Sequence, residues 1–231
     1  MKVFKWLWRL IWKTIMWFFI LSVGLTVLYR FVPVPITPLM VIRLFEQTFD
    51  SDKKVRLRKD WVPFSEISKN APQAVYASED QKFLDHSGFD IEAMEKAWEN
   101  NKKGKRVKGA STITQQTVKN VFLWQSRNYL RKGLEAYFTV LVELIWPKER
   151  IMEVYLNVIE MGDGIYGIEA ASQEFFNKPA AKLTRNQAAL IAAVLPNPRR
   201  WSPAKPTPYI YGRQAWILRQ MNNLPPIGMG I

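Results

Sequence analysis

The sequence predicts a mainly α-helical external domain that follows one membrane-spanning helix near the N-terminus. Three observations indicate this fold class. Residues 14–29 form an uncharged apolar run between Lys13 and Arg30. From about Phe64 onward, apolar residues recur at helical spacing, and several segments begin with capping patterns. Strand-like alternation of apolar and polar residues is scarce, and no internal repeat of about 20 to 50 residues is present.

Composition limits the classes of protein to which the chain can belong. With 231 residues it has room for one compact domain and a short appendage. Its apolar share of 48% and charged share of 23% exclude disorder, collagen and low complexity. It has no cysteine, which excludes disulfides, thiolate zinc sites and a cysteine nucleophile. The single histidine, His86, excludes HExxH metalloprotease chemistry.

The charge balance indicates a polyanionic partner. Lys and Arg number 33 against 20 Asp and Glu, which gives a formal charge of +13. Nucleic acid, anionic lipid headgroups and a phosphorylated substrate would all suit this excess. The 10 tryptophans favour a membrane surface, because indole rings settle at the level of the headgroups.

The apolar run is best interpreted as an uncleaved membrane anchor. Four basic residues and no acid precede it, and this flank predicts a cytoplasmic N-terminus. A buried core helix and a cleaved signal peptide are the alternatives, but no A-x-A-like cleavage site follows the run. We therefore expect a cytoplasmic basic tail over 1–13, a transmembrane signal-anchor helix over 14–32 and a membrane-proximal linker over 33–60. An external domain over 61–221 and a tail over 222–231 complete the predicted organisation.

Helices are predicted for most of the external domain. Ser111 is a candidate N-cap, the segment from Thr184 to Gln187 fits a capping box, and Pro147 marks the end of one helix and the start of another. Pro33, Pro35 and Pro38 predict a stiff extended connector. The Pro- and Gly-rich tail from residue 222 is expected to fray. The predicted helices span residues 67–76, 91–100, 111–123, 129–146, 148–157, 166–176, 184–195 and 209–221.

A first group of candidate functional residues occupies the segment EDQKFLDHSG, residues 79–88. A carboxylate such as Glu79 at a helix edge inside a cleft is a candidate general base. The alternative is that Glu79 and Asp80 simply favour the N-terminus of the next helix through its dipole. His86 is expected to bind backbone and so to hold this loop in place.

A second group occupies GASTITQQTVKN, residues 109–120. On a helix, Ser111, Gln115 and Lys119 recur every four residues and share one face, and Thr112, Gln116 and Asn120 form the neighbouring row. The stripe of hydroxyls, amides and one ammonium contains no acid, and it would suit sugar hydroxyls and a phosphate. An ordinary solvated helix face is the alternative.

A third group combines a carboxylate with cations. Arg127, Arg131 and Glu135 also step by four residues, which fits either a surface ion-pair ladder or a carboxylate held ionised among cations. Two carboxylates with opposite protonation behaviour are a signature of glycosyl chemistry. The basic segment 102–108 is typical of a solvated loop, and it would also suit anionic headgroups.

Two other patterns match known motifs but do not indicate a function. The segment 51–54 fits S-x-x-K but lacks its SDN and KTG companions. The segment 161–164, MGDG, is typical of a turn and not of a phosphate-binding loop.

In this order, and behind an anchor, the motifs resemble those of the peptidoglycan glycosyltransferases. The resemblance covers about residues 62–221 and is specific as an ordered series. The absence of a transpeptidase domain resembles the monofunctional members of the family. Asn177 stands where the family often has glycine, and Leu134 where relatives are often basic. The matching segments are EDQKFLDHSG, GASTITQQTVKN, RKGLEA, KERIMEVYLN, GDGIYGIEAAS, AALIAAVLPNP and RQAWILRQM.

The resemblance implies a lysozyme-like, mainly helical glycosyltransferase domain with a small membrane-associated jaw lobe. It implies polymerisation of lipid II into β-1,4-linked glycan, with inversion at MurNAc C1 and release of undecaprenyl pyrophosphate. The location would be the bacterial inner membrane, with the catalytic domain on the periplasmic side. The implied partners are lipid II, the growing glycan chain, the bilayer and other wall-synthesis or division proteins, and nucleic acid is not among them. No cofactor is implied, although Glu135 beside a pyrophosphate would allow a transient Mg²⁺ or Mn²⁺ bridge.

Residue roles follow from the matching positions. Glu79 matches the general base, and Glu135 matches a second essential carboxylate near the pyrophosphate of the donor. Lys119 and Arg127 match the cations that neutralise the leaving group. Donor-site polar residues are matched by Ser111, Thr112, Gln115 and Asn120, and Asp80, Phe83 and His86 shape the first motif.

Three other functions remain open from the sequence. A glycan-cleaving enzyme of the same fold would have no polyanionic leaving group to bind, so the cations argue against it. A membrane-anchored scaffold without activity, and nucleic-acid binding suggested by charge alone, are the other two. The anchor argues against nucleic-acid binding because it places the basic domain away from nucleic acid.

Overall fold

A computed structural model describes residues 2–50, 55–102, 110–126 and 128–227 of the chain. These ranges are mainly α-helical, as predicted, and hold a small three-stranded sheet. The helices are α1 (Lys2–Phe31), α2 (Pro38–Thr48), α3 (Asn70–Glu79), α4 (Ile91–Lys102), α5 (Ile113–Phe122), α6 (Tyr129–Ile145), α7 (Lys148–Val158), α8 (Ile168–Phe176), α9 (Arg185–Val194) and α10 (Pro208–Asn223), and the strands are β1 (Arg58–Lys59), β2 (Glu160–Gly162) and β3 (Ile165–Tyr166).

Helix α1 is long and apolar enough to cross a membrane. Its candidate span is Val3–Phe31, with a mean hydropathy of 1.8, and only 11% of the most apolar window is buried. The helix begins well before residue 14, so the basic segment predicted as a tail is helical as far as Lys2.

The C-terminal half of α1 packs on the helical domain that follows it. Ser22 hydrogen-bonds to the Tyr137 hydroxyl at 2.7 Å, and the Trp146 indole donates to the Thr26 carbonyl at 2.7 Å. Further along, the Arg150 guanidinium donates to the carbonyl of Tyr29. Residues later in α1 therefore contact residues later in the segment that contains α6, so the two helices run in the same direction.

Helix α2 is an element that the sequence interpretation missed. Pro38 was assigned to an extended connector, but it occupies the first turn of α2, where its missing N–H costs nothing. The Thr37 hydroxyl caps this helix by accepting from the Met40 N–H. Leu39 and Met40 are buried, so α2 belongs to the core.

The sheet has the strand order β1-β3-β2 and follows α7 in the chain. Its β2–β3 hairpin contains the MGDG segment, which forms the predicted turn, with Gly164 at φ +68°. Gly167, with φ +84°, is the N-cap of α8, which begins at Ile168 and therefore two residues later than the predicted start at residue 166. A side chain at position 167 would meet the Asn157 carbonyl at 2.7 Å, so only glycine fits. At the other end of α8, Asn177 is left-handed with φ +51°, a conformation that asparagine tolerates nearly as well as glycine.

Two clusters of buried residues form the core, and α3 contributes to both. One face of α3 packs in the larger cluster with α5, α6 and α7. Its Ala74 and Ala77 pack against α9, whose facing positions are also alanines. Small side chains on both helices allow a close approach. This packing fixes the C-terminal end of α3, where Glu79 lies.

The C-terminal segment is ordered further than predicted. Helix α10 continues to Asn223. Beyond it, Gln73 donates to the Pro225 carbonyl and accepts from the Ile227 N–H, and Ile227 packs on the core. The prediction that this tail frays is therefore wrong for residues 222–227, because its apolar side chains are held on the domain. Residues 228–231 lie outside the described part.

Candidate active site

Glu79 is the last residue of α3, and its carboxylate is mostly shielded from solvent. The Gln116 side-chain amide donates to its Oε2 at 3.1 Å, and the Ser78 hydroxyl donates to its Oε1 at 3.1 Å. The Arg213 guanidinium lies 3.6 Å from Oε1 and donates to the Ser78 hydroxyl. The carboxylate is thus held on both oxygens, and the Arg213 guanidinium is beyond normal hydrogen-bond distance.

Asp80 links the first motif to the helix that carries the second. Its Oδ2 accepts from the Ile113 N–H at 2.9 Å, and Oδ1 lies 3.0 Å from His86 Nε2. The Gly88 N–H donates to His86 Nδ1, so the neutral ring carries its proton on Nε2 and donates it to Asp80. His86 therefore binds backbone, as expected, and it also links this loop to Asp80.

Phe83, the third residue assigned to shaping this motif, is buried. The Lys148 ammonium lies 4.7 Å from its ring centre and donates to the His86 carbonyl. Lys148 also pairs with Glu143 at 2.9 Å. A cation from α7 therefore helps to hold the loop 80–88, and the sequence interpretation did not assign it a role.

The N-terminus of α5 differs from the prediction by one residue. Thr112, and not Ser111, is the N-cap, and it forms a capping box with Gln115. The Thr112 hydroxyl also donates to the Gly88 carbonyl at 2.7 Å. Both side chains are buried, so they support the helix, whereas the side chain of Ser111 is exposed.

Further along α5, Asn120 is also buried and its amide donates to the Gln116 carbonyl at 2.8 Å. Lys119 is half-buried. Burial lowers the pKa of its ammonium, and the negative charges of Glu135 and Glu79 partly oppose this effect, while the cations Arg131 and Lys132 add to it. Lys119 lies three residues after Gln116, which donates to Glu79, and α5 packs against α6, the helix that carries Glu135.

Glu135 lies inside α6 with its side chain 4% exposed, between two cations. The Arg131 guanidinium and the Lys132 ammonium each donate to a different oxygen at 2.5 Å. Lys132 therefore supplies a cation that the predicted four-residue ladder did not include. Arg127, the remaining predicted cation, lies outside the described residues.

The structure brings most of the predicted site residues together and adds three from other helices. Gln116, Tyr155 and Arg213 support Glu79 from α5, α7 and α10. The sequence analysis places Gln116 in the polar stripe without a role of its own, and it assigns no role to Tyr155 or Arg213. Gln116 could have been selected from the sequence because it belongs to the same polar helix as Lys119. Tyr155 and Arg213 are far from Glu79 in the chain and gave no such signal. Among the described side chains, no group of three or more His, Asp or Glu residues is arranged to hold a metal ion.

This arrangement is chemically asymmetric. At one end, Glu79 is hydrogen-bonded on both oxygens and can accept a proton. At the other end, the Lys119 ammonium and the cations around Glu135 can stabilise an anion. Such a site suits the transfer of a group to a hydroxyl, with departure of an anionic leaving group.

Comparison with known proteins agrees with this chemistry. Residues 46–222 match the model of a family described as transglycosylase. The chain is similar to a biosynthetic peptidoglycan transglycosylase of Bdellovibrio bacteriovorus, with 57% identity over 90% of this chain and 83% of the relative. It is also similar to proteins of the same name from Pseudomonas fluorescens (52% identity, 95% of this chain and 91% of the relative) and Bacteroides thetaiotaomicron (54% identity, 91% and 85%).

Proposed function

The chain belongs to the transglycosylase family, and from this membership we propose that it is a peptidoglycan glycosyltransferase of bacterial cell wall synthesis. It polymerises lipid II into β-1,4-linked glycan strands. Glu79 accepts the proton of the acceptor GlcNAc 4-hydroxyl while the oxygen attacks MurNAc C1 of the donor. The bond from C1 to the pyrophosphate breaks on the opposite face, which inverts the anomeric centre and releases undecaprenyl pyrophosphate.

The observation that carries this proposal is that α5 contacts Glu79 through Gln116 and carries Lys119 three residues further along, where it packs beside α6, the helix of Glu135. A base for the hydroxyl and a cation for the pyrophosphate are thereby available to one substrate pair. Charges already fixed in place stabilise a leaving anion without reorganisation at the moment of reaction. Arg127 is proposed to add to this cation set from its place in the matching motif.

Glu135 organises the cationic end of the site. Because it accepts from both Arg131 and Lys132, it fixes these two cations on α6, the helix that packs against the one carrying Lys119. A buried carboxylate also offsets the mutual repulsion of three neighbouring cations. In this proposal Ser111 is the exposed hydroxyl nearest the start of the polar helix, where it can contact the donor sugar.

The protein is proposed to lie in the inner membrane with its external domain on the periplasmic side. Helix α1 supplies the span, and α6 runs beside it in the same direction. Tyr129 and Leu130, at the start of α6, are 97% and 69% exposed. Because α6 runs parallel to α1 and Tyr137 lies opposite Ser22, the start of α6 lies beside the apolar part of α1, where these exposed side chains fit contact with lipid.

Helix α4 supports the same placement. Its described side chains are all at least partly exposed, and Ile91, Met94 and Trp98 follow one face at helical spacing. An apolar helix face of this kind suits a lobe that rests on lipid. We assign α4 and the start of α6 to the membrane-associated jaw, next to the source of the lipid-linked donor.

The proposal is tested by incubating the purified full chain in detergent with labelled lipid II, and separately with isolated cell-wall glycan. We expect chain growth from lipid II and no fragment release from glycan. Glu79→Gln should lower polymerisation by about 10²-fold or more, because a positioned base contributes roughly that factor. Lipid II binding should be retained, since the amide keeps the shape of the side chain.

Glu66→Gln is the matched control, because Glu66 is exposed on a short turn before α3. It should keep the activity of the wild type. Fragment release without chain growth would indicate a glycan-cleaving enzyme instead. Full activity of Glu79→Gln would remove Glu79 as the base.

A further inference from the structure

The side chain of Gln116 bridges Glu79 and Tyr155. Its Nε2 donates to Glu79 Oε2 at 3.1 Å, and its Oε1 accepts from the Tyr155 hydroxyl at 3.4 Å. The three residues lie on α5, α3 and α7, so the chain of hydrogen bonds crosses three helices. Tyr155 is fully buried, and Gln116 links it indirectly to Glu79.

The chemistry of the three groups fixes the direction of the chain. An ionised carboxylate can only accept, so the amide must present its NH₂ to Glu79. The amide oxygen then faces Tyr155, which must donate. Burial, with the negative charges of Glu79 and Asp80, raises the pKa of the Tyr155 hydroxyl, so it keeps its proton.

We propose that Tyr155 is a positioning residue for the base: by donating to Gln116 Oε1, it holds the amide in the orientation that grips Glu79 Oε2. This inference rests on the proposed role of Glu79 in polymerisation. Without the Tyr155 hydroxyl, the amide of Gln116 keeps only the contacts of its Nε2, with Glu79 and with the Ser111 carbonyl at 3.4 Å. Its oxygen is then unsupported, so the amide can swing and its grip on Glu79 Oε2 loosens.

The other oxygen of Glu79 has a separate support. Ser78 donates to Oε1, and Arg213 donates in turn to Ser78. When the Tyr155 hydroxyl is lost, Ser78 still holds Oε1 of Glu79, but Oε2 is held less firmly and the carboxylate can rotate. The expected defect is in the rate of turnover and not in substrate binding, because no donor-site group is changed.

The test compares Tyr155→Phe, Gln116→Ala and the double variant in the polymerisation assay, with full-length protein in detergent. Tyr155→Phe should lower kcat about five- to tenfold, with KM for lipid II within about twofold of the wild type. Gln116→Ala should lower kcat at least as much. In the Gln116→Ala background, Tyr155→Phe should have no further effect, because its hydroxyl acts through Gln116.

Tyr166→Phe is the matched control for loss of a buried tyrosine hydroxyl. Tyr166 is fully buried, and its hydroxyl has no hydrogen-bond partner in the part of the chain that the structure covers. This variant should keep the wild-type kcat. Thermal unfolding of each variant shows whether its fold is retained.

The possible outcomes separate this inference from the proposed function. If the wild type polymerises lipid II, Glu79→Gln is inactive and Tyr155→Phe keeps full kcat, only the inference is wrong. The same holds if Tyr155→Phe lowers kcat equally in both backgrounds, since that indicates a general structural role. If the wild type does not polymerise lipid II at all, the proposed function is wrong.

Discussion

The Asp80 carboxylate accepts a hydrogen bond from the backbone N–H of Ile113 at 2.9 Å. Ile113 is the first residue of α5, and its N–H has no hydrogen-bond partner within that helix. Asp80, which directly follows α3, supplies the missing acceptor, and its negative charge is favourable at the start of a helix. This contact sets the register between the helix that ends in Glu79 and the helix that carries Gln116 and Lys119. It brings together two motifs that are about thirty residues apart in the chain.

Replacing Asp80 should therefore destabilise the domain. Asp80→Ala leaves the buried Ile113 N–H and the His86 Nε2–H without their acceptor, at a cost of about 2 to 4 kcal/mol in the free energy of unfolding. Denaturant unfolding in detergent measures this loss. Asp85→Ala removes an exposed carboxylate of the same loop and should change stability by less than about 0.5 kcal/mol. Equal stability of both variants would contradict the role given to Asp80.

Lys119 should affect the donor more than the acceptor. Lys119→Ala removes the ammonium proposed to meet the pyrophosphate, and Arg127→Ala is expected to act in the same way. Each should lower kcat/KM for the lipid-linked donor by about tenfold or more, since one charge-assisted hydrogen bond is worth about 1.5 to 3 kcal/mol. Polymerisation with a soluble acceptor analogue separates the two substrates. Equal damage to donor and acceptor use would contradict this assignment.

The alkaline limit of activity should also depend on Lys119. Burial lowers the pKa of its ammonium from the ordinary value of 10.5, so its charge is lost at a lower pH than for an exposed lysine. Activity that needs this charge is present below the pKa and declines as the pH rises through it. Lys119→Arg, which stays protonated throughout, should move the alkaline limb of kcat/KM upward. An unchanged limb would show that another group sets it.

Arg150 should hold the external domain against the anchor helix. Its guanidinium donates to the Tyr29 carbonyl at 2.8 and 3.0 Å and to the Val32 carbonyl at 2.7 Å, which satisfies carbonyls at the end of α1. Arg150→Met keeps the aliphatic stem but removes these donors. We expect faster hydrogen exchange at the end of α1 and in residues 33–37, by about tenfold. Arg219→Met, at an exposed position on α10, is the matched control and should leave exchange there unchanged.

Glu160 should make stability depend on pH. Burial raises the pKa of this carboxyl above its ordinary value of 4.5, and the nearby cations Arg43 and Arg199 only partly oppose this. The folded protein then holds a proton that the unfolded chain has released, so ionisation of Glu160 costs stability as the pH rises from about 4.5 through the folded pKa.

Glu160→Gln cannot ionise and lacks this dependence. The melting temperature of the wild type relative to that of Glu160→Gln should therefore fall as the pH is raised from 4 to 7. A difference that is constant over this range would show that the pKa of Glu160 is the same in the folded and unfolded states.

Local patterns determined much of this protein. The uncharged run predicted helix α1, and the spacing of apolar residues predicted all the helices from α3 to α10. The capping box at Thr184 and the break at Pro147 are confirmed, because these features depend on residues only a few positions apart. The same local signal was available for α2 at Thr37 and Pro38, but it was interpreted as part of an extended connector.

Only the tertiary structure decided which polar groups meet around Glu79. Gln116 donates to Glu79 across 37 residues of sequence, Tyr155 donates to Gln116 across 39, and Arg213 donates to Ser78 across 135. Helical periodicity assigns a residue to a face of its own helix, but it does not say which other helix covers that face. The packing of α3 between two core clusters settles this, because it brings the ends of separate helices to one carboxylate.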